Sequence, residues 1–357
     1  MEINQGGDMT KTWVKLALIG MICASGAFAD HKAGHEGKGM SMGGTIEGGW
    51  ALNFTTGASS SHFILDAATM NMTYEVSDKL KVVVGNAFAV GDGGGLAGGA
   101  AANSAVYFSG ARLTSTNAAP GTAFAFANNA AYLEHKCADG LTTAVGHFMM
   151  PFGMESLTSR FDSATYYYSG AYTNANTLGY TYDVGFKFTL TDYIPGTTEI
   201  AIVDGHRANI AGENKTPAEA IRWWYEMKSG DMTFTPVVSA YFGRGADNLG
   251  LSGGGMLKSG AWWANAEFVY TSQKTAATAK TWSVYAEPGF DLGMANFSAK
   301  WQLNNNGTNS DMDIGVGLTK NYSDKLRVRL LYDFMNVSKK LAAASSHDVR
   351  LLLGAKW

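Results

Sequence analysis

The last nine residues, VRLLLGAKW (349–357), alternate without a break. Val349, Leu351, Leu353, Ala355 and Trp357 fall on one face, and Arg350, Leu352, Gly354 and Lys356 fall on the other. A period of two marks a β-strand, because successive side chains leave an extended backbone on opposite sides. A wholly apolar face set against a mixed polar one is what a strand requires when lipid lies on one side and water on the other.

The same split recurs along the chain. In 178–190, Leu178, Tyr180, Tyr182, Val184, Phe186, Phe188 and Leu190 oppose Gly179, Thr181, Asp183, Gly185, Lys187 and Thr189. In 221–228, Ile221, Trp223, Tyr225 and Met227 oppose Arg222, Trp224, Glu226 and Lys228. Phe297, Ala299, Trp301 and Leu303 stand against Ser298, Lys300 and Gln302, and Leu326, Val328, Leu330, Tyr332 and Phe334 against Arg327, Arg329 and Asp333. Periodicity alone does not say which face is the inner one. Length does: these runs approach the 9–11 residues of a tilted membrane strand and exceed the usual 5–6 of soluble sheets.

Short and long connections alternate between the runs. The short ones are Ser77-Asp78-Lys79, Ala138-Asp139-Gly140, Thr191 to Gly196, Ser229-Gly230-Asp231, Lys258-Ser259-Gly260, Asp291 to Met294 and Ser323-Asp324-Lys325. Asp-Gly and Ser-Gly steps are tight-hairpin chemistry. Two of these hairpins repeat each other, YEVSDKLKVVV (74–84) and KNYSDKLRVRL (320–330). Long connections are expected at 56–60, 91–124, 150–177, 206–217, 243–250, 272–280, 305–311 and 338–345. Seven turns join fourteen strands, and a first strand at 45–55 and a last at 346–357 make about sixteen. A further strand at 105–113, or loss of the runs at 127–137 and before Lys258, would leave eighteen or fourteen. The expected fold is all-β, a transmembrane antiparallel barrel over 45–357 with short periplasmic turns and long outer loops.

Composition narrows the compartment. Charged residues are 16% of the chain, against roughly 25% in an ordinary soluble domain. Glycine is abundant at 44 and proline scarce at 6. Lys11 and Lys15 precede the apolar run Leu16 to Ala24, and Ala27-Phe28-Ala29 supplies a small-x-small cleavage site, so residues 1–29 are expected to be a signal peptide with Met9 as the true start. Its removal takes two basic and two acidic residues, which leaves the net charge at -3 and argues against a nucleic-acid partner. Beyond that segment no apolar run approaches the 18–20 residues of a membrane helix, and Cys137 has no second cysteine to pair with.

Residues 30–44 (DHKAGHEGKGMSMGG) are expected to be a flexible periplasmic lead-in. His31, His35, Met40 and Met42 are ligand types that suit copper or nickel, but the glycine content favours a plain lead-in, and no metal or cofactor is assigned. The run GDGGGLAGGAAA (91–102) lacks the Gly-Lys-Ser/Thr of a phosphate loop and is expected to be an outer loop or a latch on a neighbouring subunit.

The closing strand that stops on an aromatic resembles the C-terminal signal of bacterial outer-membrane proteins. VGHFMMPFGMES (145–156), at the start of one of the two longest connections, resembles the entry to the third loop of the trimeric general porins of Gram-negative bacteria, and it is also similar to a stretch of the phosphate-selective porins. The resemblance implies a non-enzymatic outer-membrane channel, a homotrimer among lipids and lipopolysaccharide that passes small polar solutes. It implies that loop 150–177 folds into the lumen and narrows it. A constriction sorts solutes by opposed charges across a gap. Glu155, Arg160 and Asp162 are the candidates on the loop, and Arg327, Arg329, Arg350 and Lys300 on the wall, with Lys81 and Lys187 elsewhere. The loop carries less acid than the general porins do, and no lysine ladder of the phosphate-selective kind is present. A barrel enzyme would need His with Asp or Ser at the rim, for which Asp204 with His206 and His347 with Asp348 are the only neighbours. An adhesin that binds through its long loops is the third possibility.

Overall fold

The computed structural model describes residues 39–55, 58–91, 123–154, 157, 182–204, 217–243, 248–273, 280–305, 310–336 and 345–356. Its regular elements are strands. The first half holds β1 (Gly39–Thr55), β2 (Ala58–Glu75), β3 (Leu80–Gly91), β4 (Ala123–Ala138), β5 (Leu141–Met149), β6 (Tyr182–Thr191), β7 (Thr197–Val203), β8 (Ala218–Trp224) and β9 (Met227–Ser229). The second half holds β10 (Met232–Gly243), β11 (Asn248–Ser259), β12 (Trp262–Gln273), β13 (Lys280–Asp291), β14 (Asn296–Asn305), β15 (Ser310–Asn321), β16 (Leu326–Asn336) and β17 (Ser345–Lys356).

Successive strands pair antiparallel, and β1 pairs with both β2 and β17, so the sheet closes on itself. β8 and β9 both lie against β10 and form one interrupted stave, so the barrel has sixteen staves from seventeen strands. The interruption at 225–226 faces Pro236 of β10. Proline has no N–H to donate to the ladder, and only the Tyr225 amide reaches back, to the Pro236 carbonyl at 3.4 Å. Pro288 of β13 has the same effect, because the β13–β14 ladder stops at Ala286↔Trp301 and resumes at Gly289↔Ser298.

All seven short turns occur where hairpin chemistry predicts them. The repeated Ser-Asp-Lys-Leu turns share one hydrogen-bond set. Ser77 Oγ accepts from the amides of Lys79 and Leu80 at 3.3 and 3.1 Å, and Ser323 Oγ accepts from Lys325 and Leu326 at 3.2 and 3.1 Å. Two boundaries differ from expectation. β1 begins at Gly39 rather than 45, because 39–44 continue the ladder onto Met70–Glu75 of β2. The first connection is only 56–57, because the serine-rich stretch after it is strand, with Ser61 Oγ accepting from the Trp50 indole at 2.8 Å. The segment at 105–113 lies outside the described residues, as do the proposed signal peptide and 30–38.

The barrel is dressed inside out relative to a soluble protein. Leu353 is 57% exposed and Leu351 is 50% exposed on the outer face, while Arg329 has no exposed surface on the inner one. Ile46, Trp50, Val238, Phe268, Trp301 and Leu330 also face out, and Glu47, Arg222, Glu267, Ser283 and Lys300 face in. In water such an outer face would forgo about 25 cal/mol for each Å² of apolar area left wet, and hydrocarbon removes that cost. Near the turns the outer face carries Tyr193, Trp223, Trp262 and Tyr322, an aromatic rim of the kind found at membrane interfaces. Trp224 and Trp263, by contrast, face the lumen.

The Trp263 indole lies flat over its in-register partner Gly289, so a Cβ built on Gly289 would meet the ring at 2.0 Å. Gly289→Val forces the indole off the wall at a cost of about 1–3 kcal/mol, the usual price of overpacking. Urea unfolding followed by tryptophan fluorescence should show that loss, and an unchanged midpoint would mean that the ring repacks freely.

Candidate pore lining

The chain after β5 turns into the lumen. Met150, Phe152 and Met154 are buried against the inner wall. Phe152 joins Phe148, Ala201, Val203, Ala218, Ala220, Tyr241 and Val269 in one apolar cluster, with Tyr132 packed on it. Met154 packs with Val237 and Tyr285, and Leu157 and Trp224 lean on that group. These wall positions belong to staves well round the ring from β5, so the segment crosses the inner surface rather than rising over the rim.

Three wall residues fasten its backbone. The Gly153 amide donates to Ser239 Oγ at 2.9 Å, the Met154 amide donates to Glu267 Oε1 at 2.7 Å, and Arg222 Nη1 donates to the Gly153 carbonyl at 3.1 Å. Gly153 holds φ at +78°, a conformation that costs other residues about 1–2 kcal/mol, and a Cβ there would lie 3.3 Å from Glu267 Oε1. The Pro-Phe-Gly stretch is therefore a docking element: Phe152 enters the apolar cluster and Gly153 makes the bend that exposes its own amide and carbonyl. Arg222 also donates through Nε to Glu199 Oε2 at 3.1 Å, and Lys187 Nζ lies 3.4 Å from Glu199 Oε1.

A second charged patch lines the opposite arc, from β14 to β17 and across the closing seam to β1. Arg327 Nη2 donates to Glu47 Oε1 at 3.1 Å, and Arg329 donates through Nε to the same oxygen at 2.8 Å and through Nη2 to Oε2. Arg350 Nε donates to Asp348 Oδ2 at 2.7 Å. Lys300 Nζ sits 4.7 Å over the Tyr285 ring. Glycines make these reaches possible. Arg327, Gly354 and Glu47 are in register on three neighbouring staves, so the guanidinium crosses β17 where no side chain stands. Lys300, Gly315 and Asp333 form a second such row, with Asp333 Oδ1 leaning over Gly315, 2.7 Å from where its Cβ would be.

The wall candidates Arg327, Arg329, Arg350 and Lys300 thus all face the lumen on one arc, as alternation predicts. They are not bare cations, because Glu47 and Asp348 hold the three arginines. The loop candidates Glu155, Arg160 and Asp162 lie outside the described residues. Sequence reasoning passed over Glu47, Glu199, Arg222 and Glu267. Their signal was available in the parity of their strands, since Glu47 shares a face with Thr45, Gly49 and Ala51. His347 and Asp348 stand on opposite faces of β17: the imidazole Nδ1 lies 2.8 Å from the Tyr332 hydroxyl on the outside, while the carboxylate binds Arg350 within. They cannot form a dyad. His206 lies outside the described residues. Cys137 Sγ lies 3.2 Å from Thr143 Oγ1 and 3.5 Å from His135 Nδ1.

No family model and no curated protein matches the chain. Solved structures do. An anion-selective porin from Comamonas acidovorans superposes with a TM-score of 0.61 at 11% identity, over 89% of this chain and 100% of that one. OprB of Pseudomonas putida gives 0.63 at 8% identity, over 90% and 94%. OmpF of Salmonella typhi gives 0.60 at 11% identity, over 89% and 97%. With its closed ring of sixteen antiparallel staves, its apolar outside and its charged inside, the chain has a porin-like fold.

Proposed function

We propose that this protein is a non-enzymatic porin of the outer membrane of a Gram-negative bacterium, a homotrimer passing small hydrophilic solutes by diffusion. Residues 1–29 serve as its export signal, and its outer face meets lipid and lipopolysaccharide. The carrying observation is the inward turn of the chain after β5, bolted to the far wall inside a closed barrel whose lumen is lined by charge. A sixteen-stave barrel encloses an aqueous channel, and a segment laid across it narrows the passage. Trimeric OmpT of Vibrio cholerae is a structural neighbour, with a TM-score of 0.56, and its assembly supports the same state here.

Purified protein added to a planar bilayer should give stepwise ohmic conductance. A silent bilayer, or hydrolysis of peptide or phospholipid by the same preparation, would overturn the reading.

In this reading Glu155, Arg160 and Asp162 of loop 150–177 face the wall patch of Arg327, Arg329, Arg350 and Lys300 across the narrowest point. Replacing the three arginines by glutamine keeps donors for Glu47 and Asp348 but removes three positive charges. The reversal potential in a salt gradient should then move toward cation preference, and an unmoved potential would take the arginines out of the constriction.

A further inference from the structure

The charges on the arc from β14 to β17 are sorted by height as well as paired across the wall. β16 rises from the turn at 322–325, and β17 descends to the same level, where the Lys356 amide donates to the Lys325 carbonyl at 2.7 Å. Arg327 and Arg329 stand at the foot of β16, and Glu47 is level with Arg327 through their shared register with Gly354. Asp333 stands further up the same strand. Asp348 is in register with it on β17, and Asp313 lies at a similar distance from the turn on β15. At about 3.4 Å per residue and a tilt of 35–45°, Asp333 lies roughly 15 Å above Arg327 along the barrel axis.

The middle of the arc is compensated. Lys300 falls opposite Glu287 across the gap in the β13–β14 ladder, and the Asp348–Arg350 pair is stacked with its acid above its base. Above it, Asp313 accepts from the neutral amides of Gln302 and Asn304 rather than from a cation. The described residues of the other staves keep the same order. Asp183 lies at the long-connection end of β6, and Lys258 faces the lumen beside the turn at 260–261. Glu199 is held by both Arg222 and Lys187, a group that is basic in sum, and Glu267 sits in the middle on the Met154 amide. The pairs Lys81–Glu134, Lys136–Asp139 and Lys228–Glu226 cancel near the short turns. The turn acids Asp231, Asp291 and Asp324 are exposed beyond the mouth.

We propose that the lumen is bipolar along its axis: Asp313, Asp333 and Asp348 gather cations toward the long-connection end, and Arg327, Arg329 and Lys356 gather anions toward the short-turn end. Such a channel rectifies. When the acidic end is positive, each zone feeds its own counter-ion toward the middle, where both accumulate and carry current. The opposite polarity drains the middle. At 0.1 M salt the Debye length is about 10 Å, shorter than the separation of the zones, so each end selects on its own. The inference rests on the barrel being an open pore.

The test uses single channels of the reconstituted barrel at pH 8. In symmetric 0.1 M salt the current should be about 1.5 to 2 times larger in one polarity, and at 1 M, where the Debye length shrinks to about 3 Å, the two should be about equal. In a salt gradient the less screened end decides selectivity. The same channel should therefore prefer cations when the dilute solution bathes its acidic end, and anions when the gradient is inverted. The compartment that gives cation preference when dilute must be the one whose positive polarity gives the larger current. Asp313→Asn with Asp333→Asn keeps the shape of both side chains and should bring the current ratio close to one in a channel that still opens. Symmetric currents from the conducting parent at 0.1 M, asymmetry that survives 1 M salt, readouts that name opposite ends, or a double variant that rectifies like the parent would each overturn the bipolar lumen and leave the pore standing. A silent bilayer would remove both.

Discussion

Glu47→Leu is expected to cost the barrel about 3–5 kcal/mol, the range found when one member of a buried ion pair is removed. Glu47 is the shared acceptor for two guanidinium groups, Arg327 and Arg329, and side-chain exposure falls to 1% for the carboxylate and 0% for Arg329. Removing the acid leaves two like charges desolvated beside one another on the same stave. The position magnifies the effect, because Glu47 is on β1 and the arginines on β16, with β17 between them. The triad therefore clamps the seam at which the first and last strands close the ring. Chemical unfolding of detergent-solubilised protein should show the loss as a lower midpoint with an unchanged slope. Glu47→Leu combined with Arg327→Met and Arg329→Leu should recover most of it, since apolar replacement of a whole buried ion cluster is often neutral or stabilising. A triple variant as weak as the single one would mean that the seam depends on something other than charge compensation.

Most of the barrel was legible in the sequence because its rules are local. Alternation needs only the next residue but one, and the tight turns announce themselves, so the sixteen staves and all seven hairpins were within reach. Where local signals were poor, boundaries slipped. GMSMGG (39–44) has the glycine of a linker, and the serines after 58 have the composition of a loop, yet both are strand because a neighbour offers a ladder. The site was legible by halves. Parity put Arg327, Arg329, Arg350 and Lys300 on the inner face, but it gave no sign of their partners. Arg329 and Glu47 are separated by 282 positions, and only closure of the ring makes them adjacent. The role of Gly354 was equally hidden, since a missing side chain matters only when the staves on either side are known. His347 and Asp348 show the converse, since they are neighbours in sequence and the pleat sends them to opposite faces.

Releasing the segment after β5 is the change with the largest expected effect on transport. Its described anchors are the Met150, Phe152 and Met154 side chains packed on the inner wall, the neutral bond to Ser239, and the two charge-assisted bonds to Arg222 and Glu267. Hydrogen bonds to charged groups contribute about 1.5–3 kcal/mol each, so Arg222→Ala with Glu267→Ala removes roughly 3–6 kcal/mol of docking. At about 1.4 kcal/mol per factor of ten, the ratio of docked to undocked segment falls by roughly two to four orders of magnitude. Both side chains lie on the wall of a sheet whose ladders remain intact, so the barrel itself should survive, although Glu199 is left with Lys187 as its cation. Single channels of the double variant should therefore be larger and noisier than the parent's, with flicker between narrow and wide levels as the segment docks and leaves. Ser239→Ala alone, which removes one neutral bond, should leave the conductance close to that of the parent. If the double variant keeps the parent's conductance and quiet trace, the segment does not set the width of the channel. The constriction would then have to be sought in the charged arc between Lys300 and Glu47.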